Sequence, residues 1–331
     1  MAARSIVMSV RACALALVLL LPVSPCFAQT ASKAATRSMR ASKITDFDAA
    51  RAFEHAKKMV EIGPRPSGSE AIKTTQDYII KEFKNYGLKI TEDSFAARTP
   101  RGTVPMKNII AEAQGEKPGV VIIAGHFDTK LQDGFLGAND GASSAAAVLE
   151  MARVLSKSRP EYTLWFVLFD GEEAVVDWSA MNGMDNTYGS RHLVAKLKTD
   201  KALDRVKAMI LVDMIGDKNL NLKREGESTR WLVDLMWATA HKIGYGASYL
   251  LEEQYISDDH IPFKSAGIPV IDFIDFDYGP DHSYWHTNQD TLDKISGESM
   301  KAVSDVIITA LPDLFKALNN PPPRPVKPAA Q

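Results

Sequence analysis

Three acids stand within four residues at Asp170-Gly171-Glu172-Glu173, directly after the apolar run Leu164 to Phe169. The run is too short for a helix and is closed by Asp-Gly, so it predicts a buried strand with carboxylates at its end. Carboxylates in such a place are costly unless they are paired, solvated in a turn or bound to a metal. Elsewhere the chain supplies partners. His126 and Asp128 follow the apolar run VVIIAG, and Asp213 follows MILV. Asp140 sits in Gly137-Ala138-Asn139-Asp140-Gly141 ahead of a helix, while Asp258-Asp259-His260 and Trp285-His286 fall in loops. Imidazole and carboxylate donors without thiolate suit zinc in a catalytic setting, where three protein ligands leave one position open. Asp140, Glu173 and His286 are candidates for that set. Glu172, beside a ligand, is a candidate general base and then acid. His282 and His286 stand four apart, but His-Ser-Tyr-Trp-His lacks the glutamate of HExxH and any helical pattern, which argues against a zincin helix. Spacing alone leaves the ligand set open.

Bringing these groups together requires a particular frame. Apolar runs at 106–113, 119–125, 164–169, 208–214 and 268–273 predict strands, with a further strand near 88–93. Helical periodicity predicts helices from about Asp46 to the turn cluster Gly63-Pro64-Arg65-Pro66-Ser67-Gly68, then over 69–86, 142–155, 188–198, 227–243 and 296–318. Strands apolar on both faces and alternating with helices predict an α/β fold: a single globular domain with a mostly parallel central sheet flanked by helices. In such sheets ligands bind beyond the carboxyl ends of the strands, which is where the acids and histidines fall.

The 331 residues, 45% hydrophobic and 24% charged, are ample for a large core. The N-terminal segment reads as a secretory signal peptide over residues 1–28: Arg4 and Arg11, the apolar run Ala12 to Leu21, then Cys26-Phe27-Ala28. The domain plan is therefore signal peptide 1–28, flexible leader 29–44, catalytic domain 45–318 and a proline-rich tail 319–331. Export to the periplasm or the medium is expected, with no stable membrane insertion after cleavage. Both cysteines, Cys13 and Cys26, lie in the cleaved segment, which excludes disulfides and thiol chemistry in the mature chain. Cleavage leaves 37 basic against 41 acidic residues, a charge of −4, so no nucleic-acid partner is implied.

The blocks GHFDTK, GANDGASSAAAVLE, FDGEEA, LVDMIG, DDHIPF and WHTNQDT, with GPRPSGSE near the start, resemble the zinc aminopeptidase-like superfamily of exopeptidases. Within it, FDGEEAVVDWS, YGSRHLVAKL, DDHIPF, AGIPVIDFI and YWHT resemble the animal-type glutaminyl cyclases, or glutaminyl-peptide cyclotransferases. The resemblance covers roughly residues 46–316. It implies the zinc exopeptidase-like (phosphorylase/hydrolase-like) fold and a single zinc on Asp140, Glu173 and His286. It further implies Glu172 as proton shuttle, Asp213 and Asp258 in an internal hydrogen-bond network, and Trp178 and Trp285 as pocket walls. Ser257, at the pocket, stands where the animal enzymes tend to have Gln, and their disulfide has no counterpart here. The implied substrates are peptide or protein N-termini beginning with Gln.

Two other assignments compete. His126 and Asp213 match second-metal ligands of two-zinc aminopeptidases, and a non-catalytic binding module on the same fold is a third. Plainer roles also exist: Trp285 as core, and Asp258 as the cap of a turn running toward Pro262.

Overall fold

The computed structural model describes residues 44–320, which fall within one compact unit. The expected signal peptide, the leader apart from Ile44, and the tail beyond Asn320 lie outside the described residues. In chain order the elements begin with α1 (Ala49–Ile62), α2 (Glu70–Asn85), β1 (Lys89–Thr99), β2 (Gly102–Ala113), β3 (Lys117–His126), α3 (Ala142–Leu155) and β4 (Tyr162–Phe169). They continue with a short turn α4 (Ala180–Gly183), α5 (Tyr188–Thr199), β5 (Val206–Asp213), β6 (Leu222–Glu225) and α6 (Arg230–Ile243). β7 (Tyr249–Gln254), α7 (His260–Ser265), β8 (Val270–Ile274) and α8 (Gly297–Asn319) complete the chain.

Six strands form one mixed sheet in the order β1-β2-β4-β3-β5-β8, and β6 and β7 make a separate two-stranded ladder. β4, β3, β5 and β8 run parallel; β1 and β2 form an antiparallel hairpin joined to β4. The parallel part is buried on both faces, as its unbroken apolar runs require. On one face Val121, Ile123, Leu164 and Ile210 pack with α1, α2, α3, α6 and α8. On the other Val120, Ile122, Val167 and Met209 meet Leu193, Val194 and Leu197 of α5 and Phe263 of α7.

Helix starts follow their capping chemistry. Asp48 accepts from the amides of Ala50 and Arg51, so α1 begins at Ala49 rather than at about Asp46. Ser69 caps α2 and Ser296 caps α8 in the same way. α3 spans the expected residues 142–155, and α8 takes in Asn319, one residue beyond the expected domain end. β1 and β2 extend past the expected strands because Lys89–Thr99 and Gly102–Ala113 close a hairpin whose outer half packs Phe95, Ala97, Val104 and Met106 against Tyr188. β6 and β7 were not expected. Both are short and β7 is largely exposed, so neither carries a strong apolar pattern.

Arg65, in the predicted turn cluster, is fully buried. Its guanidinium donates to the carbonyls of Phe127 (2.7 Å), Leu136 (2.7 Å) and Gly137 (2.8 Å), stapling the loop after β3. Burial pulls its pKa down to about 10, with Asp290, Asp128 and Asp140 opposing that shift. Arg65→Leu leaves the carbonyls of Phe127 and Leu136 without donors, at about 1–3 kcal/mol for each buried unsatisfied group, while Gly137 keeps the amide of Ala142. A loss of about 3 kcal/mol or more in denaturant unfolding is expected, and a loss under about 1 kcal/mol contradicts the staple.

Candidate metal centre and active site

The four parallel strands end on one edge, and that edge collects the acids and histidines. β3 ends in His126, β5 in Asp213, and Glu172 and Glu173 follow β4. Asp140 precedes α3, and His286 comes from the loop beyond β8. All six residues, apart from a partly exposed His286, are buried.

Donor atoms of Asp140, Glu173 and His286 gather within 4.8 Å of one another. His286 Nε2 stands 3.3 Å from Asp140 Oδ2 and 3.2 Å from Glu173 Oε1. Two ligand atoms about 2.0–2.1 Å from a tetrahedral zinc stand about 3.3 Å apart, so the set fits such an ion. Both Glu173 oxygens are buried and accept no hydrogen bond, leaving their lone pairs available. Burial, and then the Asp140 charge, raises the Glu173 pKa. A divalent cation would compensate that cost.

A second group, His126, Asp140 and Asp213, also lies within 4.8 Å. Here the donors are already engaged. His126 Nε2 donates to Asp213 Oδ1 (3.1 Å), and Ser144 Oγ donates to the same oxygen (3.2 Å). His126 also contacts Asp140 Oδ1 at 3.2 Å and Asp128 Oδ1 at 3.5 Å. A side chain on Gly141 would run into the His126 ring at 2.4 Å, so only glycine lets α3 start this close.

Backbone and outer side chains hold the ligands in place. Asp128 accepts from the amides of Glu172 and Glu173 with one oxygen each, both at 3.2 Å. Asp290 accepts from the amides of Asn139 (2.7 Å) and Asp140 (3.1 Å), and from the Tyr278 hydroxyl (2.7 Å). His286 adopts a left-handed backbone, φ 52°, which costs about 1–3 kcal/mol for a non-glycine residue. Stacking on Trp285, with ring centroids 4.0 Å apart, and an edge contact with Phe135 help to hold it there.

In front of the centre lies a cavity of about 550 Å³. Asp140, Glu172, Asp213, Ser257, Asp258 and His286 line it, with Trp178, Phe276 and Trp285 as aromatic walls and Lys130 and Tyr255 also contributing. Glu172 stays outside the ligand set, its Oε2 3.9 Å from His126 Nδ1. Burial raises its pKa well above the usual carboxylate range, and Asp258 and Glu173 push it further against the pull of His126. Trp178 is placed by the loop 175–178, whose amides at Val175, Val176 and Asp177 donate to the buried Asp185. Asp258 does not cap α7: its Oδ1 takes the adjacent Asp259 amide and its Oδ2 accepts nothing.

The ten residues given site roles from sequence thus meet at one edge: Asp140, Glu173, His286, Glu172, Asp213, Asp258, His126, Trp178, Trp285 and Ser257, whereas Asp259 and His260 of the quoted run line neither the cavity nor a ligand cluster. His192 and His241 lie apart, within α5 and α6, and His282 is an exposed turn residue bonded to the Phe276 carbonyl. Sequence reasoning missed Arg65, Asp290, Asp185 and Phe276. The first two lie within quoted blocks, GPRPSGSE and WHTNQDT, but no spacing rule marks a group that acts through backbone amides or carbonyls.

The profile of peptidase family M28 matches residues 108–311, well over half of the chain. The chain belongs to peptidase family M28. Among solved structures of the family's fold, a glutaminyl cyclase from an Acidobacteriales bacterium is 38% identical, with a TM-score of 0.78 over 82% of this chain and 95% of that one. The glutaminyl-peptide cyclotransferase of Drosophila melanogaster is 27% identical over 260 residues, 70% of this M28 chain and 72% of that protein. A leucine aminopeptidase precursor from Bacteroides thetaiotaomicron is 26% identical, with a TM-score of 0.73 over 81% of this chain and 98% of that one. The suspected kinship with glutaminyl cyclases inside M28 therefore holds, and so does the single α/β domain with its central mixed sheet. No helix among the described residues is long and apolar enough to cross a membrane.

Proposed function

We propose that this M28 protein is a zinc-dependent glutaminyl-peptide cyclotransferase, converting N-terminal glutamine of peptides or proteins to pyroglutamate with release of ammonia. The observation that carries this over the aminopeptidase alternative is the contrast between the two clusters. Glu173 faces His286 of its own ligand set and accepts from no group outside that set, whereas Asp213 Oδ1 accepts from Ser144, which is no metal ligand, as well as from His126. One metal on Asp140, Glu173 and His286 fits this pattern, and His126 and Asp213 then serve as a hydrogen-bonded pair rather than as ligands of a second ion. The resemblance to the Acidobacteriales cyclase supports the same choice.

Bound there, zinc would supply Lewis acidity toward the γ-carbonyl oxygen of the substrate glutamine. Glu172 accepts a proton from the α-amine as its nitrogen bonds to Cδ, then returns it to the departing amide nitrogen, which leaves as ammonia. Burial raises its pKa, which makes the carboxylate a stronger base toward the amine than an exposed glutamate is. Asp258 orients the amide nitrogen, and Asp213, with His126, completes the acidic floor. Trp178 and Trp285 fold the glutamine side chain back on its own amine; since the reaction is intramolecular, positioning is a large share of the work. Ammonia release from matched peptides beginning with Gln or Leu tests the proposal. Release from the Gln peptide alone is expected; cleavage of both without ammonia contradicts it. Export by the N-terminal signal is part of the same proposal.

A further inference from the structure

The segment that brings Ser257 and Asp258 to the cavity is gripped from behind by four side chains, none of which lines the cavity. Glu225, His260 and Asp272 among them are at most 2% exposed. Glu225 Oε1 accepts from the amide of Ile256 (3.3 Å), at one end of the segment. Its Oε2 accepts from Ser228 Oγ (2.8 Å) and faces His260 Nε2 (3.2 Å), at the other end. Ser228 Oγ in turn accepts from the amide of Asp272 (3.0 Å), whose Oδ2 stands 3.6 Å from His260 Nδ1. Glu225, Ser228, Asp272 and His260 thus lie in a ring, hydrogen-bonded through Ser228 and completed by an imidazole that faces both carboxylates without a hydrogen bond of its own.

That ring matters because Asp258 has little else to hold it. One of its oxygens accepts only the neighbouring Asp259 amide, and the other accepts nothing. Asp213, Asp258, Asp259 and Asp272 are all buried in this region, and burial first, then the neighbouring acids, holds Asp258 and Asp272 well above the usual carboxylate range. The imidazole, set between Glu225 and Asp272 two residues along from Asp258, anchors the backbone that carries that carboxylate.

We propose that His260 is a positioning residue: clamped between Glu225 and Asp272, it sets where the Asp258 carboxylate stands in the cavity. This rests on the role given to Asp258 above. The test is a double-mutant cycle on the zinc-loaded protein with a Gln-initiated peptide, using His260→Ala, Asp258→Ala and both together. His260→Ala is expected to lower kcat/KM by about 10–100-fold with zinc content unchanged. His260→Gln, which keeps an amide donor toward Glu225, should recover part of that loss. Because His260 acts through Asp258, the double variant should be no slower than Asp258→Ala within about twofold. Losses that multiply in the double variant, or a loss under about twofold in His260→Ala, would overturn the proposal. If His260→Ala does not fold, Glu225→Gln takes its place in the cycle under the same criterion. The rate is read on whichever product the wild-type protein makes. Product identity, pyroglutamyl peptide or shortened peptide, separately decides the cyclase assignment.

Discussion

Glu172→Gln is expected to lower kcat by about 10²–10⁴-fold while bound zinc and the unfolding midpoint stay close to those of the wild type. The substitution keeps the size of the side chain and removes only its capacity to take up and return a proton. Glu172 lines the cavity beside Asp140 and His286 but is not one of the three clustered donors, so metal binding has no reason to fail. Its amide is held by Asp128 in either form, which keeps the neighbouring Glu173 in place. Turnover and metal analysis on the same preparation check this. A variant with near wild-type turnover would remove Glu172 from the mechanism, and one that loses zinc would make it a ligand.

Glu173→Ala has the opposite signature: loss of zinc first, and activity with it. Lewis-acid activation contributes several kcal/mol, so a fall of about 10³-fold or more is expected. Metal content, and turnover before and after chelation, measure the effect. The same measurements count metals. With one ion on Asp140, Glu173 and His286, His126→Ala should leave about one zinc per chain. A fall from two zincs to one in that variant would restore the two-metal aminopeptidase assignment.

Much of the frame was legible from apolar pattern. The unbroken runs VVIIAG and LWFVLF had to be strands buried on both faces, and the small-residue helix after Gly141 matches α3 residue for residue. Once those strands are parallel, their carboxyl ends share an edge, so His126, Glu172, Glu173 and Asp213 had to be neighbours. Which of them bind a metal was not legible from spacing. It depends on hydrogen bonds made at long range, such as Ser144 to Asp213, and on the left-handed backbone of His286. Arg65, Asp290 and Asp185 act on backbone carbonyls or amides of loops that leave no periodic trace. His260 stood in the run Asp258-Asp259-His260, but its partner Glu225, 35 residues away at the end of β6, could not be read from spacing.

The most direct test of the account is mass spectrometry of a short Gln-initiated peptide incubated with the purified, zinc-loaded protein. Cyclisation by this protein requires the peptide to lose one ammonia with its chain intact. A peptide shortened by its first residue, with free glutamine in solution, would contradict it.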